Sequence, residues 1–476
     1  MPTRSRSRLS PEPEQRVPIR QSMARSLHRF NGGAAVAGAA DPRHAAIMKG
    51  MLTVTAFVFV GKLSSALKEM AVAYRFGLGP EVDAYQLLYT LISWPVGVWN
   101  SVLTAVLVPL ALRMRDRPVE VRGFRSELLG VAVLAGVALA VLGWLSLHAM
   151  LTFGQTGLPP ESAGLARRAL PGLVLLLPLG MLTALQSAWM LAAGRHLNTL
   201  LDSIPTICIG ALVLALPGAG IGALVWGTVA GAAVHLLALT APMVNRGELA
   251  PPRLAMRSPQ WRFFWQGFGI MAAGQALLSL TVVIDQFYAV GLHAGAIATL
   301  GYANRILSLL IGLAGIAVSR ATLPVFSQIQ TDDGARLRAV VRHWTGLMFA
   351  LGLLVAGACA VLAPWGVQLL FERGRFDAAD TAAVARVLRF GLPQLPFYFS
   401  AMVLVSYALS LQRFTLVCCS GALGCAAKIG GNLLLVPRLG VDGVALASTF
   451  VYTLNALLFW VVLVARPLRF PGKVGQ

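Results

Sequence analysis

The chain has 476 residues, 57% hydrophobic and 12% charged, with a mean hydropathy of +0.71. Soluble domains carry about 25% charged residues, so a water-soluble globular protein is excluded and a polytopic membrane protein is expected. A net charge of +20 would suggest nucleic acid in a soluble chain, but here the arginines fall between apolar segments and read as cytoplasmic loop charge.

Residues 1 to about 46 are Arg-, Ser- and Pro-rich (MPTRSRSRLSPEPEQ) and pass into the small-residue tract NGGAAVAGAADP. Composition predicts a disordered, basic cytoplasmic tail over 1–46. No apolar core follows the basic start, which argues against a secretory signal peptide, and Glu12, Glu14 and Asp41 argue against an organelle transit peptide. Met48 offers a second start of translation.

About twelve apolar segments follow, at roughly 47–76, 84–112, 126–150, 169–193, 198–216, 220–243, 264–291, 296–326, 343–371, 383–411, 414–436 and 441–465. Each is long enough to cross a bilayer core of about 30 Å. Pro95, Pro178, Pro205, Pro393 and Pro396 fall within them and mark expected bends or breaks. The turn after the first segment, GLGPEVD, is acidic, whereas the next loop carries Arg113, Arg115, Arg117, Arg122 and Arg125. Arg195, then Arg246, Arg253, Arg257 and Arg262, then Arg336, Arg338 and Arg342, then Arg413, then Arg466, Arg469 and Lys473 continue on that side. With Arg167 and Arg168 as the main exception, this charge bias places both termini in the cytoplasm.

The chain also echoes itself. Pro178 and Arg195 recur as Pro396 and Arg413, PGAGIGAL at Pro217 as PRLGVDGVAL at Pro437, and VLVPL at Pro109 as ATLPV at Pro324. These offsets all lie near about 215 to 220 residues, the mark of an internal duplication. Six spans per half is an even number, so the halves share one orientation and are expected to be related by an axis along the membrane normal. The expected organisation is an N-terminal half over 47–243, a cytoplasmic linker over 244–263, a C-terminal half over 264–465 and a tail over 466–476. A substrate site is expected between the halves near the midplane.

The stretch from Lys62 to Asp83 puts Lys62, Lys68, Glu69 and Arg75 inside a long apolar run. On a helix Lys62, Ser65, Ala66 and Glu69 share one face, with Lys68 on an adjoining polar stripe. Lys62 would lie roughly 22 Å along that helix, near the midplane. A lysine there costs about 2.5–3.5 kcal/mol and needs a partner or a wet cavity. In the second half, Asn304 and Arg305 reach a similar depth, roughly 15 Å into segment eight. Asp285 lies toward the outer end of segment seven, and Lys428 and Asn432 sit in the middle of segment eleven. Arg320 reads as a snorkelling charge and Asp202 as a cap or local partner. Cations outnumber carboxylates in this inventory, which suits an anionic substrate such as a phosphate. The bland alternative is packing ion pairs, Lys62 with Glu69 and Arg305 with Asp285.

No Gly-rich phosphate loop, Ser/His/Asp set or HExxH occurs, and the seven histidines are scattered. Cys208, Cys359, Cys418, Cys419 and Cys425 all fall in apolar segments without metal-ligand spacing. A transporter rather than an enzyme is expected, with no cofactor and no nucleic-acid partner. Its drive would come from membrane potential or from sodium or proton coupling.

At the level of motifs, GKLSSALKEMAVAYRFGLGPEVDAY resembles the first-helix signature of the MurJ/MviN lipid II flippases, SR-x-LG-x-x-RD…FG…DA. VIDQFYA and GYANRI resemble the family's seventh- and eighth-helix motifs, LLFERGRFDAADT its outer loop before helix ten, and NLLLVPRLGVDGVALAS a motif shared with polysaccharide flippases. The resemblance runs from about Met48 to Ala465. It implies the twelve-helix MOP/MATE-like fold and translocation of a polyprenyl-diphosphate-linked glycan, lipid II or a polysaccharide repeat unit, to the outer leaflet of the bacterial inner membrane. Lys62, Lys68 and Arg305 then stand where the family places functional arginines, and Glu69 replaces its aspartate. WPVGVWNSV replaces the family's Arg-Arg pair in helix two, and its two further C-terminal helices find no counterpart. The substrate-binding set implied is Lys62, Lys68, Glu69, Arg305, Asn304, Asp285 and Lys428. The rivals are an ion-coupled MATE-type exporter, expected to have an acidic cavity, a non-transporting envelope scaffold, and a membrane glycosyltransferase.

Overall fold

The computed structural model describes residues 42–465 apart from 115–116, 155, 196, 249–250, 329–333 and 412. Side chains are described over the same stretch except 42–54, 118, 270, 313–336 and 414. The tails expected at 1–46 and 466–476 lie outside these residues, save that the first helix already begins at Pro42. Packing divides the chain into Met1–Ala56, helical where it is described, and Phe57–Gln476.

Among the described residues there is no strand. The first half of the repeat is α1 (Pro42–Phe76), α2 (Pro80–Arg113), α3 (Pro118–Thr152), α4 (Pro160–Leu173), α5 (Leu176–Ala192), α6 (Leu197–Leu201), α7 (Ile204–Ala215) and α8 (Ile221–Asn245). The second is α9 (Gln260–Val290), α10 (Ala296–Gln328), α11 (Gly334–Phe371), α12 (Ala378–Gly391), α13 (Gln394–Ser410), α14 (Phe414–Leu439) and α15 (Val441–Trp460), which closes in a π-helical turn over Val461–Ala465. Proline in the first turn starts α2, α3 and α4, where its missing N–H costs no hydrogen bond. Asp377 caps α12 by accepting from Asp380 N at 2.9 Å.

Among the described residues eight spans are long and apolar enough to cross a membrane, and ten when each of two bent pairs counts as one. The α1 and α10 helices complete the correspondence with the twelve apolar segments. The bent pairs are α4–α5, at 46°, and α12–α13, at 43°. Both breaks lie just before Pro178 and Pro396, whereas Pro95 is carried inside an unbroken α2. A Cβ on Gly136 would lie 2.7 Å from Pro178 Cα, and one on Gly352 would lie 2.5 Å from Pro396 Cα. The same Gly–Pro contact thus seats each bent helix on its neighbour.

The duplication extends to the packing. α2 packs on α4 and α5, α3 on α4 and α5, α8 on α4, α5 and α7; the helices α10 to α15 repeat each of these pairings. Gly220 and Gly440 precede α8 and α15 with φ of +50° and +58°, a conformation that favours glycine. Arg195 N donates to Met190 O, and Arg413 N to Ala408 O, in matching helix-end turns.

At the end where α2 and α10 begin, the halves are joined. Asp83 accepts from Gly295 N at 2.6 Å and Ala298 N at 2.8 Å, capping α10 from α2. Tyr302 donates to Gly77 O at 3.4 Å, and Arg375 N to Tyr74 O at 2.9 Å. A side chain at Gly301 would displace the Gln86 amide, which packs directly against that glycine. Hydrogen bonds to a charged group contribute about 1.5–3 kcal/mol each. Asp83→Ala is therefore expected to loosen this end. In a background without the native cysteines, a thiol at Gln86→Cys should then react faster with a membrane-impermeant reagent applied from that side. Unchanged labelling would show that Asp83 does not hold the closure.

The linker between the halves is strapped to the start of α3. Arg122 and Arg125 donate to Gly247 O and Glu248 O, Arg253 N donates to Ser126 O, and Glu127 accepts from Ser258 N and Trp261 Nε1. Glu248 also pairs with Arg195. Burial disfavours its charge, but the donors and charges of Arg195, with Arg125 and Arg246, outweigh this and hold its carboxyl below the usual glutamate range.

Candidate functional site

Charged side chains inside an apolar bundle need partners, and those of α1, α9, α10 and α14 meet at one cavity of about 780 Å³, walled also by residues of α2, α5, α7, α8, α13 and α15. Lys68, Glu69, Asp285, Asn304, Arg305 and Lys428 all line it. Lys62 does not: it is exposed, and its Nζ comes 3.9 Å from where a Cβ on Gly312 would stand. It shares the helix face of Glu69 but lies seven residues away, about 10 Å toward the N-terminal end of α1. α1 starts at Pro42, and the first residue of the cavity wall along it is Ser65.

The partners also differ from those the sequence suggested. Glu69 Oε1 lies 2.5 Å from Lys68 Nζ and 2.8 Å from Arg305 Nε, so one carboxylate holds its neighbour on α1 and reaches α10 through Arg305. The Glu69 side chain is 5% exposed, while that of Arg305 is 47% exposed. This cluster keeps a formal charge of +1, with the guanidinium as its open member. Lys428 pairs with Asp285 at 2.8 Å and donates to Val444 O at 3.0 Å and Ser448 Oγ at 2.7 Å, which uses all three ammonium protons. Asn432 is fully buried on the same helix, α14.

Sequence reasoning gave Asp202 the role of a cap or local partner and did not single out His235. Asp202 caps nothing through its side chain among the described residues; it lines the cavity and lies 3.5 Å from His235 Nε2. The break between α6 and α7, marked by Pro205, was the available signal. With Asp202 included, the lining balances Lys68, Arg305 and Lys428 against Glu69, Asp202 and Asp285. The expected cation excess therefore shrinks to the local surplus around Glu69. Tyr85 and Thr228 bond each other at 2.8 Å on the same wall, and Gln86, Asn100 and Gln394 add amides. Arg320 lies outside the described side chains.

The family model for "Lipid II flippase MurJ" matches residues 72–474. The chain belongs to the MurJ family. A probable lipid II flippase MurJ from Buchnera aphidicola subsp. Baizongia pistaciae (strain Bp) is 20% identical over 374 residues, covering 76% of this chain and 72% of the relative. A solved lipid II flippase MurJ in an inward closed conformation superposes with a TM-score of 0.76 at 18% identity, covering 86% of this chain and 87% of that one. An inward-facing multidrug resistance MATE transporter of the MOP superfamily gives 0.65 at 15% identity, covering 84% and 93%. At these identities the structural likenesses carry the fold alone, and they place it in the MurJ/MATE architecture. The MurJ match makes this a multi-pass membrane transporter rather than an enzyme.

Proposed function

We propose that this MurJ-family protein flips a polyprenyl-diphosphate-linked glycan from the cytoplasmic to the outer leaflet of the bacterial inner membrane, with both termini cytoplasmic. The observation that carries the reading is the Lys68–Glu69–Arg305 cluster. It is a buried carboxylate bridging two cations, with a half-exposed guanidinium facing a large cavity. A guanidinium presents paired donors that match phosphate oxygens, and Glu69 holds it in position before the ligand arrives. The cavity wall is otherwise rich in hydroxyls and amides, which suits a polar headgroup, while the lipid tail stays in the bilayer.

The bonds of Asp83 join the halves at one end, and the bias of loop charge supports reading that as the outer end. Transport then requires the 47–243 and 264–465 halves to rock about the cavity and open it to the other side. An inside-negative potential favours outward movement of an anion by roughly 2.3 kcal/mol per charge per 100 mV. No nucleotide hydrolysis enters this cycle.

Native mass spectrometry of gently purified protein tests the substrate class. A retained polyprenyl diphosphate bearing sugars is the expected result, and its mass would separate lipid II from another glycan. Retention of bulk phospholipid alone, in protein that also fails to take up added undecaprenyl diphosphate, would contradict the reading.

A further inference from the structure

The Asp202–His235 pair lies outside the diphosphate cluster and has no structural task that explains it. His235 is 7% exposed at its side chain, and its Nε2 makes no hydrogen bond; Asp202 Oδ1 lies 3.5 Å from it. Asp202 is 60% exposed, lines the cavity, and meets no cation within pairing distance among the described residues. Beside it the Ser203 hydroxyl is buried without a partner, and Thr206 and Ser187 add hydroxyls to the wall. A carboxylate within a candidate membrane span, facing the cavity without a cation and next to a buried imidazole, calls for a ligand.

Packing sets its distance from the cations. A Cβ on Gly61 would stand 3.4 Å from Ser203 Oγ, and one on Gly210 would stand 3.5 Å from Lys68 Cα. The same seven-residue step therefore separates Gly61 from Lys68 on α1 and Ser203 from Gly210 on α7, so the two helices run side by side in one direction. Seven residues of helix is about 10 Å. A headgroup whose diphosphate sits at Lys68 and Arg305 thus reaches Asp202 and His235 one or two sugar rings further on. Carboxylate oxygens accept from vicinal hydroxyls, and an imidazole nitrogen serves as donor or acceptor to a third.

We propose that Asp202 and His235 form a saccharide subsite that binds the hydroxyls of the glycan nearest the diphosphate. This rests on the flippase reading above and adds the part of the substrate that the N-terminal half recognises. The test measures affinities of undecaprenyl diphosphate, bare or carrying a neutral disaccharide, for the full chain in nanodiscs. Wild type should bind the disaccharide form about tenfold tighter or more. Asp202→Ala, and separately His235→Gln, should erase that difference and leave the bare lipid unchanged. Equal weakening of both lipids, or no change in Asp202→Ala, would overturn the subsite and leave the flippase reading standing. Failure of wild type to bind even the bare lipid would overturn both.

Discussion

Lys428→Met is expected to be among the most destabilising single substitutions in the chain. The lysine is 1% exposed, and its ammonium joins α14 to Asp285 on α9 and to Val444 O and Ser448 Oγ on α15. Methionine fills nearly the same volume, so packing changes little. What remains is a buried carboxylate without its cation, together with an orphaned carbonyl and hydroxyl. Breaking a buried pair in this way costs about 3–5 kcal/mol, whereas removing both charges often costs far less. Thermal unfolding of the purified protein should therefore show a large drop for Lys428→Met and recovery of most of it in Lys428→Met/Asp285→Asn. A single variant as stable as wild type would mean that the pair holds nothing together.

Much of the fold was legible because it rests on period and repetition. Apolar length gave the segments, and the offset between Pro178 and Pro396 marked the duplication that the paired bends and the Gly136 and Gly352 contacts now explain. Charges were harder. Helix spacing puts Lys62 and Glu69 on one face and so offers that pair as the bland alternative, but a tertiary contact decides otherwise: Arg305 arrives from α10 and, with the neighbouring Lys68, takes both cationic places on Glu69. Lys428 was read as part of an anion site, yet its protons are all spent on Asp285, Val444 and Ser448, which no spacing rule reveals. Asp202 lies at a helix break, where sequence favours a cap, and only the packing of α7 against α8 brings it to His235.

Arg305→Ala is expected to remove most transport while leaving the protein folded and inserted. The side chain is half exposed, so its loss opens no core cavity, and Lys68 remains at 2.5 Å to neutralise Glu69. The cluster then falls from a formal +1 to zero and loses the forked donors that hold a phosphate. Charge-assisted hydrogen bonds contribute about 1.5–3 kcal/mol each, so binding should weaken by at least about tenfold. Arg305→Lys keeps the charge without the fork and should fall between. Lys62→Ala, on the same helix but outside the cavity, should fall far less.

The most direct test is a flipping assay in proteoliposomes with a fluorescent undecaprenyl-diphosphate disaccharide, read by the fraction that becomes accessible to an external quencher. The cluster account predicts protein-dependent flipping in wild type and in Lys62→Ala, little in Arg305→Ala, and an intermediate rate in Arg305→Lys. Wild-type rates in Arg305→Ala, or no protein-dependent flipping at all, would contradict it.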